Sequence, residues 1–275
     1  MKVYIQTDIE GVAGVTFFDN RADNSISNYH HRKRMQSLLT GEVNAAIKAA
    51  FDSGAEEVAV NDNHGNAYNI FFEDLDPRCE IFHGRANTQP FWLPEIDDGY
   101  DVMLLVGMHA MGDTKGANLP HSKWVLNDGE VYLSEGSMAA ALAGYYGVKT
   151  IFVSGDQFVT NELQEKISTV ETVQVKKALG PYFAKSKTPT MARKLIYDGV
   201  CRAIKREAEI KPYVLQPPFG LNLLDSEEHI PPLKKILPKD VEGDSIVDAF
   251  YKAVNSFPWN KFGLREVDGF KFSGK

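Results

Sequence analysis

The 275-residue chain, 30.7 kDa with 43% apolar and 24% charged side chains, carries a formal charge of −7 from 30 basic and 37 acidic residues. A chain of this mass buries roughly three quarters of its unfolded surface, so a core forms without staples, and its two cysteines, Cys79 and Cys201, make neither a disulfide framework nor a zinc knuckle. The acidic balance excludes a general nucleic-acid binder, no apolar run reaches the length of about 20 residues that crosses a bilayer, and the N-terminus lacks a signal peptide's apolar region.

A cytoplasmic globular protein is therefore expected, with no nucleic-acid or membrane partner. Strand-like runs cover Val3 to Thr7, Glu57 to Asn61, Val102 to Gly107 and Thr150 to Ser154, and Glu80 to His83 is a weaker one. Between the first two, apolar residues at Leu39, Val43, Ala46, Ile47, Ala50 and Phe51 step by three and four, which predicts a helix over Leu38 to Ser53 closed by Gly54. Val125-Leu126, Asn127-Asp128-Gly129 and Val131-Tyr132 read as a hairpin around an Asp-Gly turn. Ser134 then caps an alanine-rich helix, Glu135 to Tyr146, that ends at Gly147. Thr190 to Glu209 reads as a long basic amphipathic helix, and six of the thirteen prolines crowd into the 27 positions from 212 to 238.

Strands alternating with amphipathic stretches predict an α/β fold. The expected architecture is a three-layer α/β/α arrangement around a mostly parallel sheet over residues 1–188. A smaller α+β C-terminal domain, 189–275, follows, with a role in oligomerisation.

Polar residues fall at the strand ends. The first strand runs into Asp8-Ile9-Glu10-Gly11, the second into Asn61-Asp62-Asn63-His64-Gly65, the third into Gly107-Met108-His109-Ala110 and the fourth into Ser154-Gly155-Asp156. In a parallel sheet these ends share one edge, where open α/β sheets bind ligands. Asp8 and Glu10 are two apart and point the same way in extended backbone. Glu135 and His121 can reach the same edge. Histidine nitrogens with carboxylate oxygens make a zinc-type or manganese-type ligand set. Asp8, Glu10, His64, His109 and Glu135 are one ligand too many for a single tetrahedral site with an open position. Two divalent ions sharing one carboxylate use all five, and three carboxylates plus a hydroxide balance their charge. His30 and His31, in the run His30-His31-Arg32-Lys33-Arg34, fit a solvated helix face, and His83 and His229 have no partner pattern.

Together, Asp8-Ile9-Glu10-Gly11, Thr40-Gly41-Glu42-Val43-Asn44, Asn61-Asp62-Asn63-His64, Gly107-Met108-His109-Ala110, Pro120-His121-Ser122, Glu135 with Ala143-Gly144-Tyr145-Tyr146, and Val153-Ser154-Gly155-Asp156 resemble the zinc-dependent D-aminopeptidase family. The resemblance covers residues 1 to 160 well and the remainder loosely. It implies two zinc ions per subunit, with Asp8 bridging and Glu10, His64, His109 and Glu135 as the other ligands. It implies that His121 is the catalytic histidine, and that N-terminal residues, preferably D-amino acids, are removed from short peptides or amino-acid amides. It also implies a homo-oligomer, a ten-subunit ring with interior active sites. The loop from Phe17 to Lys33, with Asp19, Arg21, Asp23 and Asn24, departs from the family in its length.

The mechanism expected on this basis is attack of a metal-bound hydroxide on the scissile carbonyl with His121 moving a proton. Asp62 and Asp156 either orient ligand histidines or cap turns. Two alternatives stand beside it. Asp8-Ile9-Glu10-Gly11 also resembles the opening of haloacid-dehalogenase-like phosphatases, with Asp8 as nucleophile, which leaves His64, His109 and His121 idle. A non-catalytic metal- or peptide-binding assembly protein is the other.

Overall fold

A computed structural model describes residues 1–18, 23–65, 67–84, 92–225 and 232–257. Asp19, Arg21 and His229 lie outside these residues. Strand β1 (Lys2–Thr7) leads into helix α1 (Ile26–Asp52), followed by β2 (Glu57–Asn61), β3 (Glu80–Phe82) and β4 (Val102–Met108). The hairpin β5 (Lys123–Leu126) and β6 (Val131–Leu133) precedes α2 (Glu135–Tyr145), β7 (Lys149–Gly155), α3 (Gln157–Lys166) and β8 (Glu171–Gln174). A second hairpin, β9 (Lys176–Gly180) with β10 (Phe183–Ser186), leads to α4 (Pro189–Lys205). Strands β11 (Phe219–Asp225), β12 (Lys234–Lys235) and β13 (Val241–Gly243) and helix α5 (Ile246–Ser256) complete the described chain.

The central sheet has the order β3-β2-β1-β4-β7-β8, and every pairing in it is parallel. All seven residues of β4 are buried, the pattern of a strand covered on both faces. From β1 the chain moves outward to β2 and β3, then returns to β4 on the other side of β1. Right-handed crossovers in opposite directions place their helices on opposite faces. Helix α1 accordingly packs with α4, while α2 and α3 pack with each other and with β7. The result is the expected three-layer α/β/α architecture. Its strand order reverses between β1 and β4, and that gap is where such sheets bind ligands.

Several elements differ from their sequence limits. Helix α1 starts at Ile26, well before Leu38, because Ser25 caps it by accepting from the Asn28 amide. Its first turns present exposed Tyr29, His30, His31, Lys33 and Arg34, so no apolar stripe announces them. Much of the stretch read as a loop to Lys33 is therefore helix. The buried stripe begins at Met35 and continues through Leu39, Val43, Ala46, Ile47 and Ala50. Helix α4 ends at Lys205, and Glu207–Glu209 form a separate short 3-10 turn. Glu80 to Phe82 is an edge strand beside β2.

A second, antiparallel sheet pairs elements far apart in sequence. Strand β11 lies between β5 and β12, and β13 also pairs with it. The β5–β6 turn carries Asn127, Asp128 and Gly129 at φ 51°, 58° and 106°, the left-handed conformations an Asn-Asp-Gly run tolerates. Helix α5 packs on β11 and β13 and against α2. No helix among the described residues is long and apolar enough to cross a membrane.

Candidate metal centre

The centre is built where β1 and β4 end side by side. Past Thr7 the chain leaves the strand and turns, with Val12 N donating to Ile9 O at 3.2 Å. Asp8 and Glu10 therefore converge through a tight turn and not through extended backbone. The turn lies against β4 because two glycines permit it. A Cβ at Gly107 would sit 2.2 Å from Asp8 O, and one at Gly11 would sit 1.9 Å from Met108 O. Gly11 N instead donates to Gly107 O at 2.8 Å.

His64 Nδ1 lies 3.0 Å from Asp8 Oδ1 and 3.1 Å from Glu10 Oε2. His109 Nε2 lies 3.4 Å from Asp8 Oδ2 and 3.6 Å from Glu135 Oε1. The two oxygens of Asp8 thus face two different histidines. His121 stacks on His109 with ring centroids 4.0 Å apart and places its Nε2 3.9 Å from Glu135 Oε1. Two groups of three donors result: Asp8, Glu10 and His64 in one, His109, His121 and Glu135 in the other, each with its donor atoms within 4.8 Å.

The charges explain why these groups tolerate one another. Burial, then the neighbouring charge of Glu10, raises the Asp8 carboxyl to about 7. Burial also disfavours ionised Glu10, but His64 overcomes it and holds that carboxyl well below its ordinary value. Burial alone would lower both histidines, His64 and His109. Glu10 and Asp8 reverse this for His64, and Glu135 and Asp8 do so for His109, raising each imidazole to about 10. Glu135 is pulled to about 2 against its burial by His109 and His121. A proton on each histidine stands where a cation would. Asp8 Oδ2, Glu10 Oε2 and His109 Nε2 are buried without a hydrogen-bond partner among the described residues. Orphaned polar atoms of this kind are rare in native interiors, and divalent cations at the two donor groups would satisfy all three. The nitrogen and carboxylate donor set suits zinc.

The surrounding residues hold these groups in place. His109 Nδ1 donates to Ala110 O at 2.7 Å and His121 Nδ1 to Leu119 O at 3.1 Å, which leaves Nε2 of each facing the centre. Ser122 Oγ donates to Glu135 Oε1 at 2.7 Å. The hydrogen bonds of Asp62 go to the 69–70 backbone and to Asn69, not to the His64 ring. Asp62 accepts from the Asn69 and Ile70 amides and from Asn69 Nδ2, which also donates to His64 O at 2.6 Å, so it shapes the loop that carries His64. Asp156 caps α3, accepting from the Phe158 and Val159 amides. Its reading as a turn cap describes these contacts.

The Thr40 to Asn44 run, which had no role in the sequence, anchors loops. Thr40 Oγ1 accepts from Phe71 N at 3.0 Å, Glu42 Oε1 from Ala13 N at 2.9 Å and Asn44 Oδ1 from Asp76 N at 2.9 Å. Lys176 was missed altogether, since a lysine at the start of a strand carries no sequence signal of burial. It is 1% exposed. His30 and His31 are exposed on α1, and His83 stacks against Phe72 away from the centre. The three histidines that a phosphatase would leave idle all meet at Asp8 and Glu135.

The sequence profile of the D-aminopeptidase family, peptidase M55, matches residues 1–239. The curated D-aminopeptidase of Bacillus subtilis (strain 168) is 33% identical over 225 residues, 79% of this chain and 78% of that protein. Among solved structures, the Zn-dependent D-aminopeptidase DppA from Bacillus subtilis, a self-compartmentalizing protease, superposes with a TM-score of 0.78 at 26% identity, covering 98% of this chain and 100% of the other. The chain belongs to the D-aminopeptidase family of peptide-bond hydrolases.

Proposed function

We propose that the protein is a two-zinc aminopeptidase that removes N-terminal residues, preferably of D configuration, from short peptides or amino-acid amides. The observation that carries this reading is the division of Asp8 between two histidines, Oδ1 toward His64 and Oδ2 toward His109. Asp8 would bridge, Glu10 and His64 would complete one metal site, and His109 and Glu135 would complete the other. Zinc bound there supplies Lewis-acid polarisation of the scissile carbonyl and lowers the pKa of water to roughly 7.

The chain's own residues do the rest. His121 Nδ1 is committed to Leu119 O, so Nε2 is the nitrogen that takes a proton from the attacking water. It returns that proton to the leaving nitrogen as the C–N bond breaks. Phe18, perpendicular to the His121 ring at 5.2 Å, and His109, stacked on it at 4.0 Å, hold the imidazole in one orientation. The relative's description as self-compartmentalizing supports assembly of this chain into a homo-oligomer. The family resemblance supports a ten-subunit ring, and the proline-rich composition at 212–238 supports a role of residues 189–275 in assembly.

Metal analysis and a D/L panel of amino-acid amides on the same zinc-loaded sample test the reading. Two zinc ions per subunit with faster cleavage of D-alanine-amide than L-alanine-amide are expected. Silence of both series overturns it. Because His121 also lies within the donor group of His109 and Glu135, a second reading makes it a ligand. His121→Ala separates the two. Two zinc ions retained with kcat reduced by about 100-fold or more support proton transfer, whereas loss of one zinc makes His121 a ligand.

A further inference from the structure

Lys176 ligates nothing in the centre, yet it is among the largest fully buried side chains of the protein. Its Nζ donates to Glu10 O, to Val15 O at 2.7 Å and to Asn118 Oδ1 at 2.7 Å. Three donors meet three acceptors, which is the full capacity of an ammonium group. Those acceptors lie on two loops. Glu10 and Val15 bound the turn that follows β1, and Asn118 begins the segment that leads to His121.

The second loop continues the connection. Asn118 Nδ2 and Leu119 N both donate to Pro181 O at 2.9 Å, and Leu119 O accepts from His121 Nδ1. Successive hydrogen bonds thus join Lys176 to the ring nitrogen that fixes the His121 tautomer. On the other side, the Lys176 bond to Glu10 O holds the backbone of a metal ligand. An apolar side chain would fill this volume without taking a charge out of water, so packing alone does not account for a lysine here.

We propose that Lys176 is a positioning residue whose ammonium clamps the Glu10 turn to the His121 loop, setting the separation between a metal ligand and the catalytic histidine. The inference rests on the two-zinc reading above. Lys176→Met releases both loops, and Asn118→Ala releases only the His121 side. Lys176→Met is expected to weaken zinc binding about tenfold or more, read by competition with a chelating dye, the scale on which residues behind metal ligands act. It also lowers kcat about tenfold with KM within about threefold of wild type, whereas Asn118→Ala lowers kcat similarly and leaves zinc affinity within about threefold.

A merely structural lysine would lower the melting temperature and leave both quantities unchanged per folded molecule. Folded Lys176→Met with wild-type zinc affinity and kcat overturns the inference. If Lys176→Met fails to fold, wild-type kcat in Asn118→Ala overturns it instead. A wild-type protein that takes up no zinc refutes the two-zinc reading itself, which keeps the two failures distinct.

Discussion

Zinc added to the zinc-free protein is expected to displace protons, because the candidate ligands hold them. His64 and His109 are raised to about 10 by the carboxylates beside them, so both are protonated at pH 8. A histidine must be neutral to ligate. Filling the centre at pH 8 therefore releases about two protons per subunit or more, since any further acid only adds to the number. Each proton contributes about 1.36 kcal/mol per pH unit to the binding free energy. Two make the overall zinc association constant rise about 100-fold for each pH unit between 7 and 9. Titration calorimetry in two buffers of different ionisation enthalpy counts the protons directly. Release of one proton or none at pH 8 refutes the charge arrangement derived from the Asp8–His64–Glu10 and Asp8–His109–Glu135 contacts.

Burial raises Glu42 to about 7, against the Ala13 amide and the charges of Lys176 and Arg193. A carboxyl raised in the folded state binds its proton more tightly there, so its stabilising proton is fully present below about 4.5 and lost as pH climbs through 7. Zinc-free wild type should thus lose roughly 3 kcal/mol from this group between pH 4.5 and 7. Glu42→Gln should lose correspondingly less in urea titrations at pH 5 and 8, and parallel pH dependences would contradict the assignment. Gly107→Ala forces a Cβ against Asp8 O and is expected to destabilise by about 3 kcal/mol and weaken zinc binding; wild-type melting and zinc affinity would show that the β1–β4 approach is not tight. Asp156→Ala removes only a helix cap, so about 1 kcal/mol of stability is lost in denaturant unfolding while zinc stoichiometry stays the same. Loss of a zinc ion in that variant would mean that Asp156 orients a ligand.

Periodicity and turn chemistry made much of this protein legible. The four main strands, the Asp-Gly hairpin and the Ser134-capped helix need only local rules, because burial on one face writes itself as a spacing of apolar residues. The candidate ligands were readable for a related reason: a parallel sheet sends every strand end to one edge, so Asp8, Glu10, His64 and His109 could be grouped without coordinates. Polar helix turns write no such spacing, which is why α1 begins twelve residues before the start expected from its apolar spacing (Ile26 against Leu38).

Tertiary structure alone decided how those groups are held. That Asp8 divides its oxygens between two histidines depends on two glycines letting β1 and β4 close to contact distance, and no spacing along the chain encodes it. Asp62, Asp156 and Glu42 looked alike as acids near strand ends or on a helix, and only their partners separated a loop organiser, a helix cap and an anchor for Ala13. Strand β11 pairs with β5 from about a hundred positions away, and Lys176 reaches Glu10 across 166. Composition and order along the chain determine which chemistry is available. Contacts between distant segments determine which of those residues are buried, paired and aimed at the same point, because burial and charge pairing are properties of the packed molecule and not of its neighbours in sequence.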